Sequence, residues 1–408
     1  VSGGYVSAVT AVEILNSGTV PSDGDDAIAA SVDVELELLA DDTKALRNRD
    51  GVNQATTFVE PGDGSGIVVT GGNTAGEFSF AVWQLDRRIL HANNEATAGI
   101  IRHSFDGGYT WATEYTNAGT VWAGLASQTD SSAAIGVNSG AGNLYITGPG
   151  NAWQAWAISG TTPVVPLCIL ADPFNASTYW VGGSDDGFPA VWKVVTVNGG
   201  SPTETKVVLV GGAAGCNVVC PGRNNVLAAS NDSGTVHLWS ITGTTGTAVT
   251  PPTSSFITDI LWLDAFGVFL LIASNGSTLE LYLSATGANG SWTSPPSTSY
   301  LVALEGAAAV ASANLRGACV VGPLAGGLKA PCLVMIPIAF NGGQALLISA
   351  DGGQAWKTLP DPLARHQSLA PLPTVKRLRV VNNRVIAYAY QAGGHVCHAL
   401  SARGGMPN

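Results

Sequence analysis

Short apolar runs of about five to nine residues, separated by turn-forming residues, recur along most of the chain. "VVPLCILAD", "STYWVGGS" and "AVWKVVTV" follow one another from Val164, and "FITDILWLDA", "GVFLLIAS" and "TLELYLSA" do so from Phe256. Their boundaries are Asn-Gly, Asp-Gly or Ser-Asn-Gly, which punctuate strands. The first fifty residues read differently. After a strand-like "YVSAVTAVEIL", the positions Val32, Leu36, Leu39, Thr43 and Leu46 recur at four and three residues, an apolar helical stripe. Asp33, Glu35, Glu37 and Asp41 lie early and Lys44, Arg47 and Arg49 late, which suits a helix dipole. Asp50-Gly51 is a stop signal. The alternation in "VDVELEL" leaves a strand open as the other reading.

The strand pattern repeats. "HSFDGGYTWATEY", from His103, and "LISADGGQAWKTL", from Leu347, share a serine, an aspartate, two glycines and a tryptophan at the same offsets. Weaker copies lie in "LYITGPGNAW", "KVVTVNGGSP", "HLWSITGTTG", "LYLSATGANGSW" and "CHALSARGGMPN". Each is an alternating strand, then Ser or Thr, then a glycine-containing turn. The copies start near residues 104, 146, 196, 240, 284, 349 and 401, with a longer interval after 284 that reads as an insertion. A period of roughly 45 residues with all-β patterning predicts a β-propeller, one four-stranded blade per repeat. Seven copies predict seven blades. The last copy ends at the C-terminus without a following strand, so "NQATTFVE" or "SGIVVTGG" upstream is expected to close the ring. The predicted division is an N-terminal strand-plus-helix arm at 1–51 and a propeller at 52–408.

The two strong copies resemble the Asp box of sialidases and related propellers, Ser-x-Asp-x-Gly-x-Thr-Trp, with Ala355 at the Thr place in the second. The other five are degenerate, and among them Asn198 alone keeps a related side chain at the Asp place. The resemblance implies a hairpin between the third and fourth strands of a blade, away from a catalytic face. The residues fit a structural role: Ser104, Asp106, Gly108 and Trp111 in one copy, Ser349, Asp351, Gly353 and Trp356 in the other. An aspartate there can accept hydrogen bonds from its own turn, glycine can take positive φ, and tryptophan can bury its ring beneath. Ser104 has His103 beside it, but adjacent strand residues point to opposite faces, so no catalytic triad forms there.

Composition narrows the function classes. Net charge is −11 with 18 Lys plus Arg, and no basic patch suits nucleic acid or an anionic membrane. No apolar run reaches the roughly 20 residues of a membrane span. The opening "VSGGYVSAVTAV" lacks the basic region of a signal peptide. The six cysteines, Cys168, Cys216, Cys220, Cys319, Cys332 and Cys397, are irregularly spaced and sit in apolar runs. They read as buried free thiols, with a Cys216–Cys220 bridge as the alternative, and no metal or cofactor is expected. A sialidase would need an arginine cluster, yet Arg223 is the single arginine between Arg102 and Arg316. Other glycosidases need paired carboxylates. The candidates are Asp172, Asp185, Asp186, Asp259, Asp264 and Glu305, which read as solvated turn residues in loops. Trp122, Trp156, Trp180, Trp192, Trp239 and Trp262 read as packing between blades.

The N-terminal segment carries a second resemblance. "DAIAASVDVELELLADDTKALRNR" is similar to a segment of many bacteriophage tail and virion proteins, near "AASVNxPLExLADRTxxLK". The matches are Ala29, Ala30, Ser31, Val32, Leu36, Glu37, Leu39, Ala40, Asp41, Thr43 and Leu46, with Glu35 in place of proline and Arg47 in place of lysine. This resemblance implies a virion, at the phage tail. The expectation is a non-enzymatic tail component whose arm, through Val32, Leu36, Leu39 and Leu46, meets sister subunits or neighbouring tail proteins. The alternative is a propeller that binds or cleaves host-surface glycan.

Overall fold

The computed structural model describes residues 79–83, 88–94, 98–105, 112–119, 121–127, 133–232, 234–274, 279–295, 312–313, 317–321, 333–340, 343–349, 351–360, 374–381, 384–391 and 394–400. The arm with Val32, Leu36, Leu39 and Leu46, the two candidate closing strands, Asp106, Gly108, Trp111, Glu305 and the turn after Leu400 lie outside the described residues.

Among the described residues the fold is all-β and built of consecutive antiparallel meanders. The first is β1 (Ser79–Trp83), β2 (Arg88–Asn94), β3 (Ala98–Ser104) and β4 (Ala112–Ala118). Next come β5 (Trp122–Ser127), β6 (Ala134–Asn138), β7 (Asn143–Thr147) and β8 (Gln154–Ala157). The third is β9 (Val164–Ala171), β10 (Thr178–Asp185), β11 (Phe188–Val195) and β12 (Thr203–Val208). The fourth is β13 (Val218–Pro221), β14 (Val226–Asp232), β15 (Thr235–Thr242) and β16 (Thr245–Val249). A single parallel bridge, Val208 to Thr245, joins the outer edges of the third and fourth. Then come β17 (Phe256–Leu263), β18 (Val268–Ser274) and β19 (Leu279–Ser284), whose edge takes one antiparallel bridge from Thr293 to Leu283. The next group is β20 (Ser312–Ala313), β21 (Cys319–Val321), β22 (Leu333–Phe340), β23 (Gly343–Ser349) and β24 (Lys357–Pro360), with β20 and β21 both paired to β22. The last is β25 (Thr374–Val381), β26 (Arg384–Gln391) and β27 (Gly394–Leu400).

The first strand of each meander lies beside the first strand of the next: β1 by β5, β5 by β9, β9 by β13, β13 by β17, β17 by β21, and β21 by β25. The sheets are therefore stacked face to face in chain order, and burial follows from that stacking. A middle strand has a neighbouring sheet on both faces, so β10 and β18 are buried almost throughout and read as continuous apolar runs. The outer strands β4, β8, β12 and β16 are mostly exposed or half-buried. First strands crowd together and bend. Register shifts mark β5 between Trp122 and Gly124, β17 between Ile257 and Asp259, and β25 between Val375 and Arg377. Such bulges add twist and curvature.

The core is a set of sheet-to-sheet layers. Trp122 and Tyr145 of the second sheet meet Leu90 and Ile101 of the first. Trp192 and Tyr179 of the third meet Ile135 and Leu144 of the second. Trp239 of the fourth meets Trp180 and Val191 of the third. Ile260 and Phe269 meet Leu227 and Leu238, and Leu347 and Trp356 meet Leu270 and Ile272. Trp122, Trp192 and Trp239 are almost wholly enclosed, as the packing reading expected. Burial of an indole needs a partner for its N–H. Trp192 donates to the Ser159 carbonyl at 2.9 Å and Trp239 to that of Val210 at 3.0 Å.

Candidate functional site

Alternating strand direction puts every turn between first and second strands, and between third and fourth strands, at one end of the stack. The recurrent Ser/Thr-Gly turns belong to this end, because β3, β7, β11, β19, β23 and β27 end at Ser104, Thr147, Val195, Ser284, Ser349 and Leu400. The turn after β23 is the best formed. The Ser349 hydroxyl donates to Asp351 Oδ1 at 2.9 Å and accepts the Gly353 N–H at 2.8 Å. Asp351 Oδ1 also accepts the N–H groups of Gln354 and Ala355, at 3.0 and 2.9 Å. Gly353 has φ +87°, and buried Trp356 donates its indole N–H to the Gly353 carbonyl at 2.9 Å. All these bonds stay inside the turn, so Ser349 and Asp351 are committed to its shape. Ser104 closes β3 at the corresponding place.

Three degenerate copies keep part of this chemistry. Buried Thr147 and Thr196 donate to the carbonyls of Asn151 and Gly200, at 2.7 and 2.8 Å. Ser284 accepts the Gly287 N–H at 2.7 Å. The copy at Ser240 is different. Ser240 lies inside β15 and takes the Asn225 amide at 2.7 Å, while Gly243 and Thr244 make a two-residue hairpin. These turns also join the sheets. A Cβ on Gly148 would stand 2.1 Å from the Asn198 carbonyl oxygen, and one on Gly352 would stand 2.6 Å from the Phe266 ring.

The carboxylates that could have formed a hydrolytic pair are each bonded to the fold. Buried Asp172 accepts the N–H groups of Phe174 and Asn175 at 2.9 and 3.1 Å, the Asn175 amide at 3.0 Å and the Trp180 indole at 3.0 Å. Asp185 lies at the end of β10, buried, ion-paired with Lys206 and bonded to the Thr161 N–H at 2.6 Å. Asp186 and Gly187 make a two-residue turn with φ +53° and +81°, the type that Asp-Gly favours. Asp259, expected in a loop, is instead buried within β17. Its two oxygens take the N–H groups of Ile260 and Ala318, the second from the next sheet. The run "FITDILWLDA", read as a strand, already contains Asp259, and a bulge lies beside it between Ile257 and Asp259.

Asp264 belongs to a cluster the sequence reading did not assemble. It accepts Arg223 Nη2 at 2.9 and 3.1 Å and the Trp262 indole N–H at 3.0 Å. The Arg223 guanidinium lies 5.7 Å from the Phe174 ring centroid, and Phe174 meets Trp262 edge-on. The Trp262 bond first, and Arg223 next, hold the Asp264 carboxyl below the usual range. Turns of three successive sheets contribute, and all lie at the end that carries the Ser/Thr-Gly turns. At the other end burial pushes Glu280 up, but hydrogen bonds from Thr253, Ser255 and Tyr282 outweigh it and hold the carboxyl low.

Cys168, Cys216, Cys220 and Cys319 are buried free thiols. Cys216 packs toward the third sheet and Cys220 toward the fifth, so the two face opposite layers and are not bridged. Burial pushes both thiols well up. Among the described residues no group of three His, Cys, Asp or Glu side chains could hold a metal.

No protein-family model and no curated protein sequence matches the chain. Solved structures do. YCF48 bound to D1 peptide aligns with TM-score 0.53 and 15% identity, covering 82% of this chain and 94% of that one. YCF48 from Cyanidioschyzon merolae aligns with TM-score 0.52 and 14% identity, covering 79% and 94%. Selenomethionine-substituted virginiamycin B lyase from Staphylococcus aureus aligns with TM-score 0.56 and 10% identity, covering 81% and 97%. The fold is β-propeller-like. At this identity the likeness speaks for the fold alone. The same architecture serves a lyase and a peptide-bound protein, so the fold does not choose between catalysis and binding.

Proposed function

We propose that this chain is a non-enzymatic structural component of a bacteriophage virion, a tail protein acting through protein–protein assembly. The observation that carries the non-catalytic part is the commitment of the acids. Asp172, Asp185, Asp259 and Asp264 each hold backbone, indole or cationic partners within the fold. A general acid or nucleophile needs a carboxylate free to meet substrate; withdrawing Asp172, Asp185 or Asp259 would leave buried donors unpaired, and exposed Asp264 is held by Arg223 and Trp262. The virion placement is supported by the matches from Ala29 to Leu46.

The proposed architecture is a seven-bladed propeller with degenerate Asp boxes. Support comes from the meanders, in which β7, β11, β19 and β23 end where the repeated Ser/Thr-Gly turns begin while β15 runs two residues past Ser240, and from the β25–β27 sheet, three-stranded among the described residues, to which 52–78 is proposed to add an outer strand. Ser104, Asp106, Gly108 and Trp111 are proposed to hold their turn as Ser349, Asp351, Gly353 and Trp356 hold theirs. The arm at 1–51 is proposed as the joint to sister subunits and neighbouring tail proteins.

Two assays test this reading together. The full chain is offered a panel of glycans and followed for turnover, and purified phage particles are searched for its peptides by mass spectrometry. No turnover with stoichiometric presence in the particle is expected. Turnover abolished by one of the named acid substitutions without loss of folding would overturn the non-catalytic assignment, and absence from the particle would overturn the virion assignment.

A further inference from the structure

Two Asn-Gly pairs lie among the described residues, Asn198–Gly199 and Asn289–Gly290. Both occupy turns that follow a third strand, after β11 and after β19. Asparagine followed by glycine can modify itself. The glycine main-chain nitrogen attacks the asparagine side-chain carbonyl carbon, and glycine has no Cβ to hinder the approach. The peptide between the two residues must turn toward the side chain, so its surroundings decide whether attack occurs.

The two surroundings differ. The Asn198–Gly199 peptide is clamped. Gly199 is buried, and a Cβ on it would stand 2.3 Å from the Gly148 nitrogen and 2.5 Å from the Thr147 carbonyl carbon. The Asn198 carbonyl accepts the Asn151 amide at 3.2 Å, and the Gly200 N–H closes the turn on the Val197 carbonyl at 2.9 Å. Rotation of this peptide runs into the neighbouring turn of the second sheet. The Asn289–Gly290 peptide lies open. Ala288, Asn289 and Gly290 are exposed, and a Cβ on Gly290 would meet nothing within 4 Å. The Thr250 N–H, from the segment after β16, donates to Asn289 Oδ1 at 2.6 Å. That donor draws electron density from the amide carbon and stabilises the oxygen as it gains charge during attack, as an oxyanion hole does.

We propose that Asn289 is a site of spontaneous deamidation, which the fold selects over Asn198. The Gly290 nitrogen forms a bond to Asn289 Cγ. The Cγ–Nδ2 bond breaks, and the amide leaves as ammonia with the proton from the Gly290 N–H. The product is a five-membered succinimide. Water then opens the ring, at Cγ to give aspartate or at the main-chain carbonyl to give isoaspartate. Either product adds a negative charge where the turn after β19 meets the fourth sheet. Asn225, in that sheet, also donates to the Thr286 carbonyl of this turn at 3.1 Å, and Trp292 packs into the layer between the fourth and fifth sheets. Isoaspartate lengthens the main chain by one carbon and pulls the oxygen away from Thr250. The site is therefore a slow, one-way change of charge and shape at a seam between sheets. It stands independently of the virion reading.

The test is incubation of the full chain in mildly alkaline buffer, with peptide mapping by mass spectrometry to follow amide-to-acid conversion at both sites. In the folded chain Asn289 is expected to convert about tenfold or more faster than Asn198, a difference that corresponds to a modest gap in barrier height. In the chain unfolded by urea the two sites should convert at similar rates, because both are followed by glycine. Thr250→Pro, which removes the donor, should slow Asn289 severalfold while circular dichroism stays unchanged. Folded-state conversion of Asn289 no faster than that of Asn198 overturns the proposal. The same ratio of rates in folded and unfolded chain also overturns it, because local sequence and not the fold would then set the preference. An unchanged Asn289 rate in a folded Thr250→Pro protein overturns the part assigned to the Thr250 N–H.

Discussion

Replacing Asp172 by alanine should cost stability and leave any binding function of the folded protein intact. The carboxylate accepts four donors, and two of its partners anchor different parts of the third sheet: the turn after β9 and the Trp180 indole on β10. Net worth is roughly 1.5 to 3 kcal/mol for a single hydrogen bond to a charged acceptor, but bonds sharing one carboxylate do not add. Waters can reach the turn N–H groups. Trp180 is 5% exposed, so its N–H would be left dry, at roughly 1 to 3 kcal/mol. The expected total is about 2 to 4 kcal/mol. Unfolding entropy near 2.1 cal/mol/K per residue gives about 0.9 kcal/mol/K over 408 residues, so Tm should fall by roughly 2 to 5 °C if the chain melts as one unit. Asp172→Asn is a sharper probe. It keeps one acceptor for the turn but can present an amide donor to the indole N–H, so it should recover only part of the loss. Differential scanning calorimetry and near-UV circular dichroism read both variants. An Asp172→Ala protein that melts with the wild type yet loses a measured activity would refute the structural assignment.

Other perturbations follow the same logic. Asp351→Ala removes three hydrogen bonds from an exposed turn and should cost roughly 1 to 2 kcal/mol, read as a lower urea midpoint, with partner binding kept. Gly148→Ala drives a Cβ into the Asn198 carbonyl, 2.1 Å away, and should lower the melting point more than Gly150→Ala, whose Cβ meets nothing within 4 Å and which costs only the backbone strain of its φ of +73°. Both lie in the same turn, so equal melting would count against the turn-to-turn contact. Asp264 has a lowered carboxyl pKa. Its stabilising contribution is therefore in place above the unfolded value near 4 and is lost as pH falls through the folded value. An NMR titration should place it below ordinary aspartates and show it rising in Arg223→Ala; no change would deny the ion pair. Cys168, Cys216, Cys220 and Cys319 should resist alkylation at pH 8 until the protein is unfolded, which peptide mapping measures.

What the sequence revealed was local. A Ser or Thr closing an apolar strand before a glycine turn is a short-range signal, and the ends of β7, β11, β19 and β23 were readable from it. Ser240 misled because its strand runs two residues further and turns at Gly243 by another geometry. Buried tryptophans were readable as packing because their strands were. Asp259 was misplaced because one extra residue in β17 changes its surroundings without changing the apolar run. The Arg223–Asp264 pair was not readable at all. Forty-one residues separate the partners, and stacking of successive sheets, rather than any motif, brings their turns together. The same holds for Phe174, which reaches Trp262 across an intervening sheet.

The claim that matters most is that this propeller-like chain is built into a phage particle. Cryo-electron microscopy of purified native virions tests it most directly. The account predicts density on the tail into which the stacked meanders of residues 79–400 fit, with residues 1–51 running to a neighbouring subunit. Intact tails with no density that accepts these sheets, from particles whose lysate contains the chain in free form, would contradict it.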